Sequence, residues 1–138
     1  MSKELLDNLR KKFDDKIAIV TGRGLDSISY SLKELLNQFN VKNSVFLEDE
    51  SRDLAKPNPE ALLRSIHGLN SSHCLYVGDS MEDLIMAQKA TEIGNKTTFC
   101  GIIGTSNDPS EKRSFFEKNG VILILDSIQL LPKVLNLV

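Results

Sequence analysis

Residues 75–87 read LYVGDSMEDLIMA. An apolar run stops at Gly78, and two carboxylates four positions apart follow it, Asp79 and Asp83. A short apolar run closed by glycine reads as a strand. The residues after it carry a helix start, with Ser80 as N-cap and Asp83 in the place a capping box usually gives to Glu or Gln. Asp79 therefore sits on the turn between strand and helix, and Asp83 on the helix's first turn. A strand that feeds a helix through an acidic turn is one unit of an alternating chain.

Five apolar runs recur: IAIV (17–20), VFL (45–47), CLYV (74–77), TTFCGII (97–103) and VILIL (121–125). They are nearly continuous in hydrophobicity, as strands buried on both faces of a parallel sheet are. Helical spacing lies between them. Leu5, Leu6, Leu9 and Phe13 share one face, and Ile28, Leu32, Leu35, Leu36 and Phe39 share another. Asn58-Pro59 reads as N-cap and first helical residue, as does Asp108-Pro109 with Glu111 following. Asp126 is placed to cap a final helix that Pro132 restarts or kinks. This alternation predicts a doubly wound, three-layer, Rossmann-like α/β fold with a parallel sheet of about five strands.

Composition narrows the function. The chain has 138 residues, 26% charged and 41% hydrophobic, with a formal net charge of −2. That fits one domain with its own core, and it lacks the basic excess expected of a nucleic-acid binder. No apolar run approaches the length of a membrane span, and the charged start MSKELLDNLRKKFDD has no secretory h-region. The expectation is a cytoplasmic protein with neither membrane nor nucleic acid as partner. Cys74 and Cys100 lie in apolar stretches, and His67 and His73 are not at a zinc-ligand spacing with them, so two buried, reduced thiols are expected.

In open α/β sheets, ligands bind beyond the carboxyl ends of the strands. Those ends are Thr21-Gly22-Arg23, Glu48-Asp49, Gly78-Asp79-Ser80, Gly104-Thr105 and Asp126, with Lys56 in the loop after the second strand. The set suits phosphate and a divalent cation. Thr21 offers a hydroxyl, and Gly22 offers backbone N–H groups that a phosphate can approach closely. Taken alone, TGR reads more readily as a strand-ending threonine and a turn glycine. Lys56 is a compact cation held extended by Pro57, or else an ordinary solvated lysine. Asp79 is a hard oxygen ligand of the kind magnesium takes. Asp83 would support the metal site or simply cap its helix, and the two roles are compatible. Ser80 reads as a cap, since no histidine partner suggests a nucleophile. Glu48, Asp49, Glu50 and Asp53 read as an acidic surface loop.

Together and in this order, these residues resemble the haloacid dehalogenase-like superfamily. IAIVTGR is similar to its second motif, AKPNPEAL to the third as found in the phosphoglycolate-phosphatase-like branch, and YVGDSMED to the fourth. The segment from Gly101 to Leu135 is similar to that branch's ending. The resemblance implies magnesium-dependent hydrolysis of a phosphate ester through an aspartyl-phosphate. It implies that Thr21 and Gly22 bind the phosphoryl group of a phosphorylated small molecule, and that Thr21 and Lys56 serve catalysis. It further implies that Asp79 ligates magnesium with support from Asp83.

The family's first motif, Asp-x-Asp, supplies the nucleophile, and no Asp-x-Asp occurs in this sequence. The chain is therefore expected to be a single truncated core domain, residues 1–138, without a cap domain. Without the nucleophile, covalent phosphoryl transfer lacks its first step, and the chain alone is expected to be weak or inactive. Loss of the central strand would let the first and third strands pair, giving the order 2-1-3-4-5, unless a second chain supplies the missing strand. The enzyme reading needs an acid from a partner or an unorthodox local acid such as Asp49. The alternative is a non-catalytic phosphate-binding or protein-interaction module.

Overall fold

The computed structural model describes residues 1–136. It has the α/β character expected, with all strand pairs parallel. The strands are β1 (Val20–Thr21), β2 (Val45–Phe46), β3 (Cys74–Gly78), β4 (Thr97–Ile102) and β5 (Leu123–Leu125). The helices are α1 (Lys3–Lys12), α2 (Leu25–Leu32), α3 (Glu60–Gly68), α4 (Met81–Ile93), α5 (Pro109–Lys118) and α6 (Leu131–Val134). The chain divides into two compact units, one over Met1–Ser72 and one from His73 onward, where the sequence suggests a single domain.

The first unit holds α1, β1, α2, β2 and α3. α1 starts at Ser2, whose hydroxyl accepts from the Leu5 N–H, and it buries Leu5, Leu6 and Leu9 as its periodicity predicts. β1 pairs with β2, Val20 opposite Val45 and Thr21 opposite Phe46. β1 is shorter than the IAIV run because the upstream residues bond outside a regular ladder. The Ile17 carbonyl accepts from the Asn40 N–H, and the Ile19 N–H donates to the Ser44 hydroxyl. Residues 17–20 are accordingly half-buried, short of the two-sided burial expected of them. The apolar stripe from Ile28 to Phe39 forms α2 only as far as Leu32. Lys33, at φ 51°, ends it, and residues Lys33–Gln38 form a 3-10 segment tied to α1 by a hydrogen bond from Arg10 to Gln38.

The second unit holds β3, α4, β4, α5, β5 and α6. β3, β4 and β5 form a three-stranded parallel sheet in that order. Its core packs Tyr76, Phe99 and Phe116 ring against ring, with Leu84, Met86, Ala87 and Cys100 buried around them. α5 begins as read from sequence, with the Asp108 carboxylate accepting from the Glu111 N–H and Pro109 in the first turn. Ser127, not Asp126, caps the turn that leads into α6. Asp126 instead uses its carbonyl to accept from the Gly104 N–H, which prolongs the β4–β5 pairing. Pro132 sits at the start of α6, so it restarts a helix there.

The ladders thus make two parallel sheets, β1–β2 and β3–β4–β5, where one sheet in the order 2-1-3-4-5 is expected from the sequence. Each partial order matches the corresponding part of that expectation.

Candidate functional site

The candidate residues fall on both units. In the first, Thr21 closes β1 and is half-buried. Its Oγ1 accepts from the Arg23 N–H at 3.2 Å, a local turn that leaves the hydroxyl proton to donate elsewhere. Gly22 lies in this turn. A Cβ there would meet no atom within 4 Å, so the fold itself makes no demand for glycine at this position. Open space above the turn is what close approach of a ligand to the backbone requires.

The helix after this turn is capped from a distance. Gly24, its N-cap, has no side chain to satisfy the first N–H groups. Glu48 Oε2 accepts from the Gly24 N–H at 3.0 Å, and Asp49 Oδ2 accepts from the Leu25 N–H at 2.8 Å. The residues read as a plain acidic loop therefore include two helix-capping carboxylates, placed where the helix dipole favours them. Asp49, the local acid considered as a substitute nucleophile, is one of them.

Lys56 and Pro57, joined by a cis peptide, occupy the centre of a turn closed by the Asn58 N–H on the Ala55 carbonyl at 3.1 Å. The Asn58 side chain donates to the Asp53 carbonyl and accepts from the Glu60 N–H, so one residue fixes both the turn and the start of α3. α3 accordingly begins one residue later than Asn58-Pro59 suggests. Lys56 itself is half-buried.

In the second unit, the stretch at residues 75–87 becomes a compact hydrogen-bonded corner. Ser80 caps α4, its hydroxyl accepting from the Asp83 N–H at 3.1 Å and donating to Asp83 Oδ2 at 2.9 Å. Asp83 Oδ1 accepts from the Tyr76 hydroxyl at 2.9 Å. Asp83 is only 4% exposed, and burial of a carboxylate is tolerated because both oxygens have hydroxyl donors. Burial, and then the negative charge of Asp83, push the Tyr76 phenol well above its usual range. Gly78 is required here for a steric reason. A Cβ on it would lie 2.7 Å from the Asp83 Cβ, so only glycine lets the helix's first turn close onto the strand end.

Asp79 differs from Asp83. It is exposed, and its Oδ2 accepts from the Thr105 hydroxyl at 3.2 Å. Its main-chain carbonyl accepts from Lys112 Nζ at 2.6 Å. Oδ1 carries no hydrogen bond among the described residues. Thr105 is named in the sequence only as a strand end, while Tyr76 and Lys112 carry no sequence signal that would connect them to these aspartates.

Magnesium commonly takes one or two protein carboxylates and completes its shell with water and phosphate oxygens. Asp79 fits the part of one such ligand. Asp83, with both oxygens on hydroxyls, fits the part of a residue that holds the turn. Among the described residues no group of three His, Cys, Asp or Glu side chains is gathered to hold a metal by itself. No helix among them is long and apolar enough to cross a membrane.

A model of the haloacid dehalogenase-like hydrolases matches residues 1–91, a span that contains Thr21, Gly22, Lys56, Asp79 and Asp83. The chain belongs to this family and has its hydrolase-type α/β core. No curated protein and no solved structure matches the chain.

Proposed function

We propose that this chain is a phosphate-handling core of the phosphoglycolate-phosphatase-like branch, arranged for magnesium-dependent hydrolysis of a phosphate monoester but lacking its own nucleophile. The family match across all five candidate residues carries this reading. Thr21 donates its hydroxyl proton to a phosphoryl oxygen, the backbone at Gly22 approaches a second oxygen, and Lys56 balances the phosphate charge. Asp79, in the second unit, would hold magnesium, whose charge when bound favours phosphate oxygens. Asp83 keeps the Asp79 turn in place through Ser80 and Tyr76.

No Asp-x-Asp is present, and the Asp49 carboxylate is engaged with the Leu25 N–H. The chain by itself therefore binds phosphate without efficient turnover, because binding alone does not lower the barrier of the chemical step. The missing acid would have to come from outside residues 1–138, as from a strand supplied by a second chain. The substrate class is a phosphorylated small molecule. A non-catalytic phosphate-binding module is the second reading, favoured by the structural hydrogen bonds that occupy Asp49 and Asp83.

The test has two parts. Hydrolysis of a generic phosphate monoester with magnesium is compared between the native chain and Asp79→Asn, and inorganic phosphate binding is measured for Gly22→Ala and Thr21→Val. The expected result is no turnover above Asp79→Asn, with phosphate affinity reduced about tenfold or more in Thr21→Val, as for loss of a hydrogen bond to a charged group, and reduced in Gly22→Ala because the added Cβ enters the open space the phosphate would occupy. Turnover that needs magnesium and Asp79 would show that this chain holds a nucleophile after all. Unchanged phosphate affinity in both binding variants would remove Thr21 and Gly22 from the site.

A further inference from the structure

We propose that Lys112 is a positioning residue that acts as a resident counter-charge at Asp79, competing with any divalent cation drawn to that carboxylate. The inference rests on the reading of Asp79 as a cation ligand and extends it to two residues that the family motifs do not include. Lys112 projects from the first turns of α5, and its ammonium is held at 2.6 Å on the carbonyl of Asp79 itself. Its stem is half-buried, and the ammonium lies 6.0 Å from the centre of the Phe116 ring, which is fully buried. Thr105 meanwhile holds Oδ2 of the same aspartate, so the main chain and one carboxylate oxygen are both fixed from outside the β3–α4 corner.

The consequence is electrostatic. A divalent cation on the Asp79 carboxylate would share that residue with the Lys112 ammonium on its main-chain carbonyl, with no third acidic ligand among the described residues to offset the repulsion. Free magnesium therefore binds this chain weakly.

The experiment is a titration with magnesium alone, followed by the NMR amide shifts of Gly78, Ser80 and Thr105, on the full chain. Lys112→Met removes charge and hydrogen bond, Lys112→Gln removes the charge but keeps a donor, and Lys112→Arg keeps the charge. Either neutral variant suffices should the other fail to fold. The expected outcome is magnesium binding about tenfold tighter in both neutral variants, the scale for removing one charge near a divalent ion in a solvated site, with Lys112→Arg like the native chain. Asp79→Asn abolishes the shifts. Measurable binding that the neutral variants leave unchanged would overturn the role of Lys112 and leave Asp79 as a ligand. Tightening in Met but not in Gln would also overturn it, because geometry and not charge would be responsible. Absence of any Asp79-dependent shift in every chain would overturn both this inference and the cation reading.

Discussion

Asp79 and Asp83 are four residues apart and chemically opposite. Asp83 is buried between two hydroxyl donors, while Asp79 is exposed with one oxygen held by Thr105. The spacing alone does not separate these roles. The separation comes from Gly78, whose missing side chain admits the Asp83 Cβ, and from Tyr76, which reaches back to Oδ1. Two variants follow from this. Gly78→Ala is expected to cost about 2 kcal/mol, since the clash is with a Cβ that no rotamer change can move. Tyr76→Phe removes the hydroxyl that donates to a buried carboxylate oxygen and is expected to cost about 1–3 kcal/mol. Urea denaturation midpoints measure both. A Gly78→Ala protein as stable as the native chain would show that the corner yields more easily than its geometry implies.

Local helix signals are legible in the sequence where they are short-range, and opaque where they are not. Ser80 and Asp108 cap their helices within three residues, and both are read correctly from the chain. The cap of α2 comes from Glu48 and Asp49, twenty-four residues away, and no local pattern reports it. The same limit hides the end of α2, because the apolar stripe continues past Lys33 although the helix does not. The distant cap also separates two roles for Asp49. As a cap, Asp49→Ala is expected to destabilise the chain by about 1 kcal/mol and speed hydrogen exchange at the Leu25 amide, while Asp49→Asn, which still presents an oxygen, loses only a fraction of that. As a nucleophile, Asp49→Asn would be as damaging to turnover as Asp49→Ala. Exchange rates and activity measured on the same two proteins distinguish these outcomes.

Over the whole chain, element order and parallel pairing are legible because the apolar runs are compact and well spaced. The division into two sheets is not, because apolar runs mark the strands and no local pattern reports whether β1 and β3 pair. The thiols are legible in part: both are free, but Cys100 is buried while Cys74, expected to be buried, is half-buried, and burial pushes both up to about 11 from an ordinary value of 9.0. They make a prediction for the molecule as a whole. Below pH 9 the thiols are protonated whether the chain is folded or unfolded, so their contribution to stability is fully present. As pH rises above 9, the unfolded thiols release protons while the folded ones retain theirs. The unfolded state then binds fewer protons, and unfolding becomes progressively easier until the folded thiols titrate near 11. The Tyr76 phenol, raised by burial and by Asp83, acts in the same direction. The urea midpoint is therefore expected to fall between pH 8.5 and pH 10.5 (working values set about the thiol range), and the fall is expected to be shallower in Cys74→Ser/Cys100→Ala. Comparing the slopes of the two proteins cancels every contribution common to both. Equal slopes would mean that the thiols meet water in the folded chain, and the β3–β4 core would then be looser than its packing indicates.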